Sequence, residues 1–139
     1  MADIKFEDFS EETILAIREK AIAFLHEACG ELQSQVKRNT KRKTGKTAGS
    51  WDYVVDESKF EGIVGSPEEN AIWEEFGTGD YALNGDGRKE TPWRYQTPDG
   101  KWHTTRGKKP RQPFTKAKNT VLPKIKRYAE QTFMELGDK

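Results

Sequence analysis

Three observations predict an α+β fold with two long helices packed on a small antiparallel sheet and an extended hairpin and loop insertion. Apolar residues recur at three- and four-residue steps in two long segments near the ends of the chain. Short β-prone runs lie between those segments, and turn-forming residues separate the runs. The 139 residues predict one domain, 1–139. Apolar residues make up 33% and charged residues 34%, so the core is expected to be modest. The 7 Phe, 4 Trp and 4 Tyr argue against disorder, because such side chains bring large burial energies.

Ser10 followed by Glu11 and Glu12 marks a helix start, where a hydroxyl caps an orphan amide and the acids suit the positive end of the dipole. Ile14, Ile17, Ala21, Ile22, Leu25, Ala28, Cys29, Leu32 and Val36 then form one apolar stripe. Asn39 to Gly49 is polar and rich in Lys, Thr and Gly, which predicts a mobile basic loop over about 37–49. Trp51–Val55 and Phe60–Gly65 read as strands joined by the polar turn 56–59. Ser66-Pro67-Glu68-Glu69 suits a capped first turn leading into Ala71, Ile72, Trp73 and Phe76, whose apolar side chains are expected against the long helix. Trp93–Gln96 and Lys101–Thr104 flank Thr97-Pro98-Asp99-Gly100, the strongest hairpin signal in the chain, within an insertion of about 80–112. A second long helix carries Phe114, Ala117, Val121, Ile125, Ala129 and Phe133; Pro123 within it predicts either a kink or a later start.

Several chemistries find no support. No apolar stretch approaches a membrane span and no signal-peptide pattern opens the chain, so a soluble, unexported protein is expected. A lone cysteine, Cys29, fits a reducing compartment and cytosolic synthesis. Gly45-Lys46-Thr47 lacks the earlier glycine and preceding strand of a phosphate-binding loop, and Asn84, Asp86 and Glu90 miss calcium-loop spacing. His26 and His103 have no third ligand at zinc spacing and read as structural. The pairs Glu68/Glu69 and Glu74/Glu75 read as a solvated acidic face. Neither a catalytic residue, a metal site nor a cofactor is expected.

Charge is segregated along the chain although the formal total is +1. Acids dominate 1–31 and 52–80, whereas bases dominate 37–46 and 88–118. Such blocks suit head-to-tail association of like copies. The basic residues Lys37, Arg38, Lys41, Arg42, Lys43 and Lys46, with Arg106, Lys108, Lys109 and Arg111, are candidate contacts for a protein partner or for DNA. Trp73, Phe76, Trp93, Trp102 and Phe114 are candidate interface or core aromatics.

Three segments together resemble the minor tail or head-tail joining proteins of tailed bacteriophages and prophages, a family that includes tail-component, tail-completion and neck proteins. Thr44-Gly45-Lys46-Thr47-Ala48-Gly49-Ser50 is similar to the family's Thr-Gly-basic-Leu-x-x-Ser segment. Ala71-Ile72-Trp73-Glu74-Glu75-Phe76-Gly77-Thr78-Gly79 resembles its turn ending in Glu-Phe-Gly-Thr-Gly, and Pro110–Ala117 resembles its Pro-Phe-x-x-Pro-Ala helix start. The likeness spans about residues 10–136; Thr47 replaces the usual leucine and Lys116 the usual proline. It implies a non-enzymatic virion protein, made in the host bacterial cytoplasm. Such a protein assembles as a homo-oligomeric ring, commonly a hexamer, and docks to portal or connector and tail-tube proteins, with non-specific contact to passing DNA and no membrane. The competing expectation is a nucleic-acid-binding module built on the two basic clusters.

Overall fold

A computed structural model describes residues 10–40 and 45–137, with side chains through Met134. Helix α1 (Ser10–Asn39) is followed by the single turn α2 (Lys46–Gly49), strands β1 (Asp52–Asp56) and β2 (Glu61–Gly65), and helix α3 (Glu69–Phe76). A 3-10 turn (Gly79–Tyr81), strands β3 (Trp93–Gln96) and β4 (Trp102–Thr105), and helix α4 (Pro113–Gly137) complete the chain. The α+β class is as expected, and its strands form two separate antiparallel pairs, β1-β2 and β3-β4.

The two long helices lie antiparallel. Asn39 Nδ2 donates to the Pro113 carbonyl, Lys124 pairs with Glu31, and Phe24 contacts the rings of Tyr128 and Phe133. Helix α4 runs through Pro123 without a late start, so a single lost backbone bond is tolerated inside a helix that is docked along its length.

The core is small: Val36, Trp51, Ala71 and Ala117, with Leu32 and Phe114 packed against it. Trp51 stacks on Phe114 and donates its indole N–H to Thr40 Oγ1, which donates in turn to the Val36 carbonyl. The buried Thr40 hydroxyl is thereby satisfied both ways.

That arrangement corrects the expected mobile loop of 37–49 at residues 37–40 and 45–49. Lys37 and Arg38 stand on the last turn of α1, Thr40 is buried, and Lys46–Gly49 is helical, with Ala48 buried and the Gly49 amide donating to Gly45. The reason is that Val36 and Trp51 pack together in the core and bring Thr40 and Ala48 inward with them. Lys41, Arg42 and Lys43 lie outside the described residues.

Strands β1 and β2 pair as Tyr53 with Val64, Val54 with Ile63, and Val55 with Gly62. Directly paired residues share a face, so Tyr53, Val55, Gly62 and Val64 form the inner one. A Cβ at Gly62 would overlap Cys29 Sγ and touch Leu25, which places α1 directly on that face. Asp52, Val54 and Asp56 with Glu61, Ile63 and Gly65 form the outer face.

Candidate interaction site

Helix α3 departs from expectation. Its buried residues are Ala71, Glu74 and Glu75, while Ile72, Trp73 and Phe76 are exposed. Positions 71, 74 and 75 share one helical face by the three- and four-residue rule, and that face turns inward with its carboxylates. The solvated acidic face read from the sequence is therefore wrong for Glu74/Glu75, and so is the inward packing of Ile72, Trp73 and Phe76; of the apolar residues expected to pack, Ala71 alone joins the core.

The two acids are used. Glu75 accepts from the Phe114 and Thr115 amides at 2.8 and 3.1 Å and from the Thr115 hydroxyl. It therefore caps α4 from another element and places negative charge at the positive end of its dipole. Glu74 lies 2.5 Å from Lys108 Nζ, while its other oxygen faces Arg111 Nε at 4.0 Å without a hydrogen bond. The Glu74 carbonyl also accepts from the Arg111 and Gln112 amides. The short helix thus grips the connector that leads into α4.

A neck forms beyond that grip, where 77–80 runs beside 106–108. The Thr78 amide donates to the Lys108 carbonyl, the Asp80 amide to the Arg106 carbonyl, and the Lys108 amide to Thr78 Oγ1. Asp80 also pairs with Arg106 at 3.3 Å and accepts from Thr91 at 2.7 Å. Gly79 has φ +58, and a Cβ there would overlap the Arg106 carbonyl and the Trp93 ring; Gly107 has φ +132 and abuts the Thr78 carbonyl. Only residues without a side chain permit this crossing.

From the neck, β3 and β4 project as an arm without a buried residue in either strand. Trp93, Tyr95, His103 and Thr105 share one face, and Arg94, Gln96, Trp102 and Thr104 the other. Arg88 lies over Trp93, Arg94 over Trp102, and Tyr95 stacks on His103. The first face and α3 wall an open cleft of about 680 Å³ lined by Asn70, Trp73, Arg88, Trp93, Tyr95 and Lys108, among others.

Most of the candidate basic residues that the structure describes are engaged by neighbours within the chain, and Asn70 links the two clusters by bonding Thr47, beside Lys46, and Lys108. Lys46 pairs with Glu68, Arg106 with Asp80, and Lys108 with Glu74, beside Arg111. Arg38 donates to Gln35, and Lys109 lies over the Tyr81 ring. Part of the segregated charge is therefore matched within the chain. Among the aromatics, Phe114 joins the core, Trp93 is half-buried at the neck, and Trp73, Phe76 and Trp102 are exposed.

Burial pushes the Cys29 thiol pKa up, as suits a small apolar packing residue. His26 and His103 are exposed; the first contacts the Tyr53 hydroxyl and the second Thr97. Among the described residues, no three His, Cys, Asp or Glu are grouped to hold a metal ion, and no helix is long and apolar enough to cross a membrane. The chain matches no protein-family model, curated protein or solved structure.

Sequence reasoning missed Glu74 and Glu75 as structural acids and Arg94 as the partner of Trp102. The first was detectable: Ala71, three and four residues before them, marks the packed side of a short helix. The second follows from the period-2 pattern of the hairpin once its register is fixed by the turn.

Proposed function

We propose that this chain is a structural virion assembly protein of a tailed phage or prophage. In this reading it acts at the head-tail junction or the tail end, by closing into a homo-oligomeric ring and docking to portal, connector or tail-tube proteins. The observation that carries the reading is the imbalance between a small core and widely exposed large apolar side chains, among them Ile72, Trp73 and Phe76 on α3 and Tyr95 and Trp102 on the arm. Apolar surface of this kind is characteristic of protein contact sites. The Glu-Phe-Gly-Thr-Gly resemblance supports the reading from another side, because here those residues form the acid grip and the glycine crossing that carry the arm.

A concentration series by sedimentation velocity tests the proposal, with species larger than the monomer expected to grow with concentration. A monomer throughout, together with DNA binding that weakens steeply with salt, would replace it by the nucleic-acid reading.

A further inference from the structure

Two sheet faces are left uncovered by the described residues, and their chemistry is opposite. The outer face of β1-β2 carries the directly paired Val54 and Ile63, 64% and 54% exposed, with Asp52, Asp56 and Glu61 around them. None of these three acids makes an ion pair with a described residue. Asp56 and Glu61 stand directly opposite each other across the strands, a like-charge pairing that is unfavourable on its own. Lys59 lies in the turn beyond them.

The outer face of the arm presents Trp102, 58% exposed, with the guanidinium of Arg94 over its ring at 5.2 Å. Lys101 adjoins it in the turn. This face is aromatic and cationic where the other is aliphatic and anionic. An isolated pair of short strands is marginal in water and gains stability by packing a face.

We propose that the outer face of the β3-β4 arm of one copy packs on the outer face of the β1-β2 sheet of the next copy. Trp102 covers Val54 and Ile63, and Arg94 lies against Asp56 and Glu61. This inference rests on the assembly reading and names its contact. A second copy is the fitting partner because both complementary halves belong to this chain, at different places on it. Such a contact is heterologous and closes into a ring when the rotation allows. Two strands of four or five residues cover far less than the ~800 Å² per partner of a stable interface. The contact is therefore one part of a subunit boundary and is weak in dilute solution.

Charge exchange tests it. All the residues concerned are exposed, so Arg94→Glu, Glu61→Arg and Trp102→Ala are expected to keep the wild-type circular dichroism and thermal transition. Each should weaken self-association, followed by sedimentation up to about 1 mM protein, by about tenfold or more. An equimolar mixture of Arg94→Glu and Glu61→Arg should regain wild-type association to within about threefold, because each copy retains one intact face and the two altered faces match. Wild-type association with unchanged single variants would overturn this contact and leave the assembly reading standing. Weakened single variants with no recovery in the mixture would likewise overturn the pairing of these two faces. A wild-type chain that stays monomeric up to that concentration would overturn both.

Discussion

The two strand pairs have nearly the same size and connectivity, yet they hold their shape by different means. β1-β2 lies on α1, so closely that Gly62 leaves no space for a Cβ beside Cys29. β3-β4 fully buries no side chain and is held at its base, where Asp80, Arg106, Thr91 and the glycines at 79 and 107 tie two chain segments together. The first pair is part of the fold, and most changes to its inner face disturb the whole domain. The second is an arm whose faces are available to a partner and whose sequence can change without disturbing the core. Surface for recognition is thereby separated from surface for stability.

The largest expected effect falls on what the two regions share. Glu75 holds the first turn of α4, α4 packs on α1, and α1 carries β1-β2, while its neighbour Glu74 anchors the connector to the arm. Glu75→Ala leaves two amides and a hydroxyl without their acceptor in a water-poor place. Loss of this cap is expected to lower stability by about 2–3 kcal/mol in urea unfolding. Hydrogen exchange should show β1-β2 and β3-β4 losing protection together. If only the arm loosened, the acid would serve the neck alone and the proposed common frame would be wrong.

A smaller effect separates the two pairs by glycine. Gly62→Ala forces a methyl against Cys29 Sγ, an overpacking expected to cost about 1–3 kcal/mol. Most of that loss should return in the Gly62→Ala, Cys29→Ala double variant. Gly100, in the turn of the arm, has φ +85, and a Cβ there would meet no more than an ordinary contact with the Gln96 side chain. Alanine there costs about 1 kcal/mol of backbone strain, but the cost stays local: the Thr97 and Gly100 amides should exchange faster while the urea midpoint holds. Equal midpoint shifts for Gly62→Ala and Gly100→Ala would show that the arm is part of the cooperative core after all.

The difference between the pairs also marks what was legible in the sequence. Helix periodicity gave α1 and α4, and the Pro-Asp-Gly turn gave β3-β4, because these signals are local. The inward carboxylates of α3 were not legible as burial. Polarity suggests water, and only the distant Phe114 and Thr115 amides and the Lys108 ammonium make their burial favourable. The segment Asn39–Gly49 looked mobile because it is polar, yet Thr40 is fixed by an indole eleven residues away. The candidate basic residues could be named from charge alone. Their pairing with Glu68, Glu74 and Asp80 depends on how the neck brings residues 74–80 against 106–111.

The smallest expected effect is a proton equilibrium at one end of each pair, the neck of the arm and the turn of β1-β2. The Thr91 hydroxyl, with help from Arg106, holds the Asp80 carboxyl below its ordinary pKa against the opposing effect of desolvation. Asp56, in the β1-β2 turn, is also lowered, but by the neighbouring Ser58 hydroxyl and Lys59 amide. Asp80 therefore reports closure between distant segments, whereas Asp56 reports its own turn. Since the folded value lies below the unfolded one of about 3.9, each carboxylate stabilises its surroundings above that pH. The contribution disappears as pH falls through the folded value. Carboxyl titration by NMR should show Asp80 moving up toward the ordinary range in Thr91→Val and less in Arg106→Gln, with Asp56 unmoved in both. Gly107→Ala, which forces the neck apart, should raise Asp80 in the same way while leaving both native partners in the sequence. An Asp80 titration unchanged in Gly107→Ala would mean that the neck does not depend on that crossing, and the arm would then need another anchor.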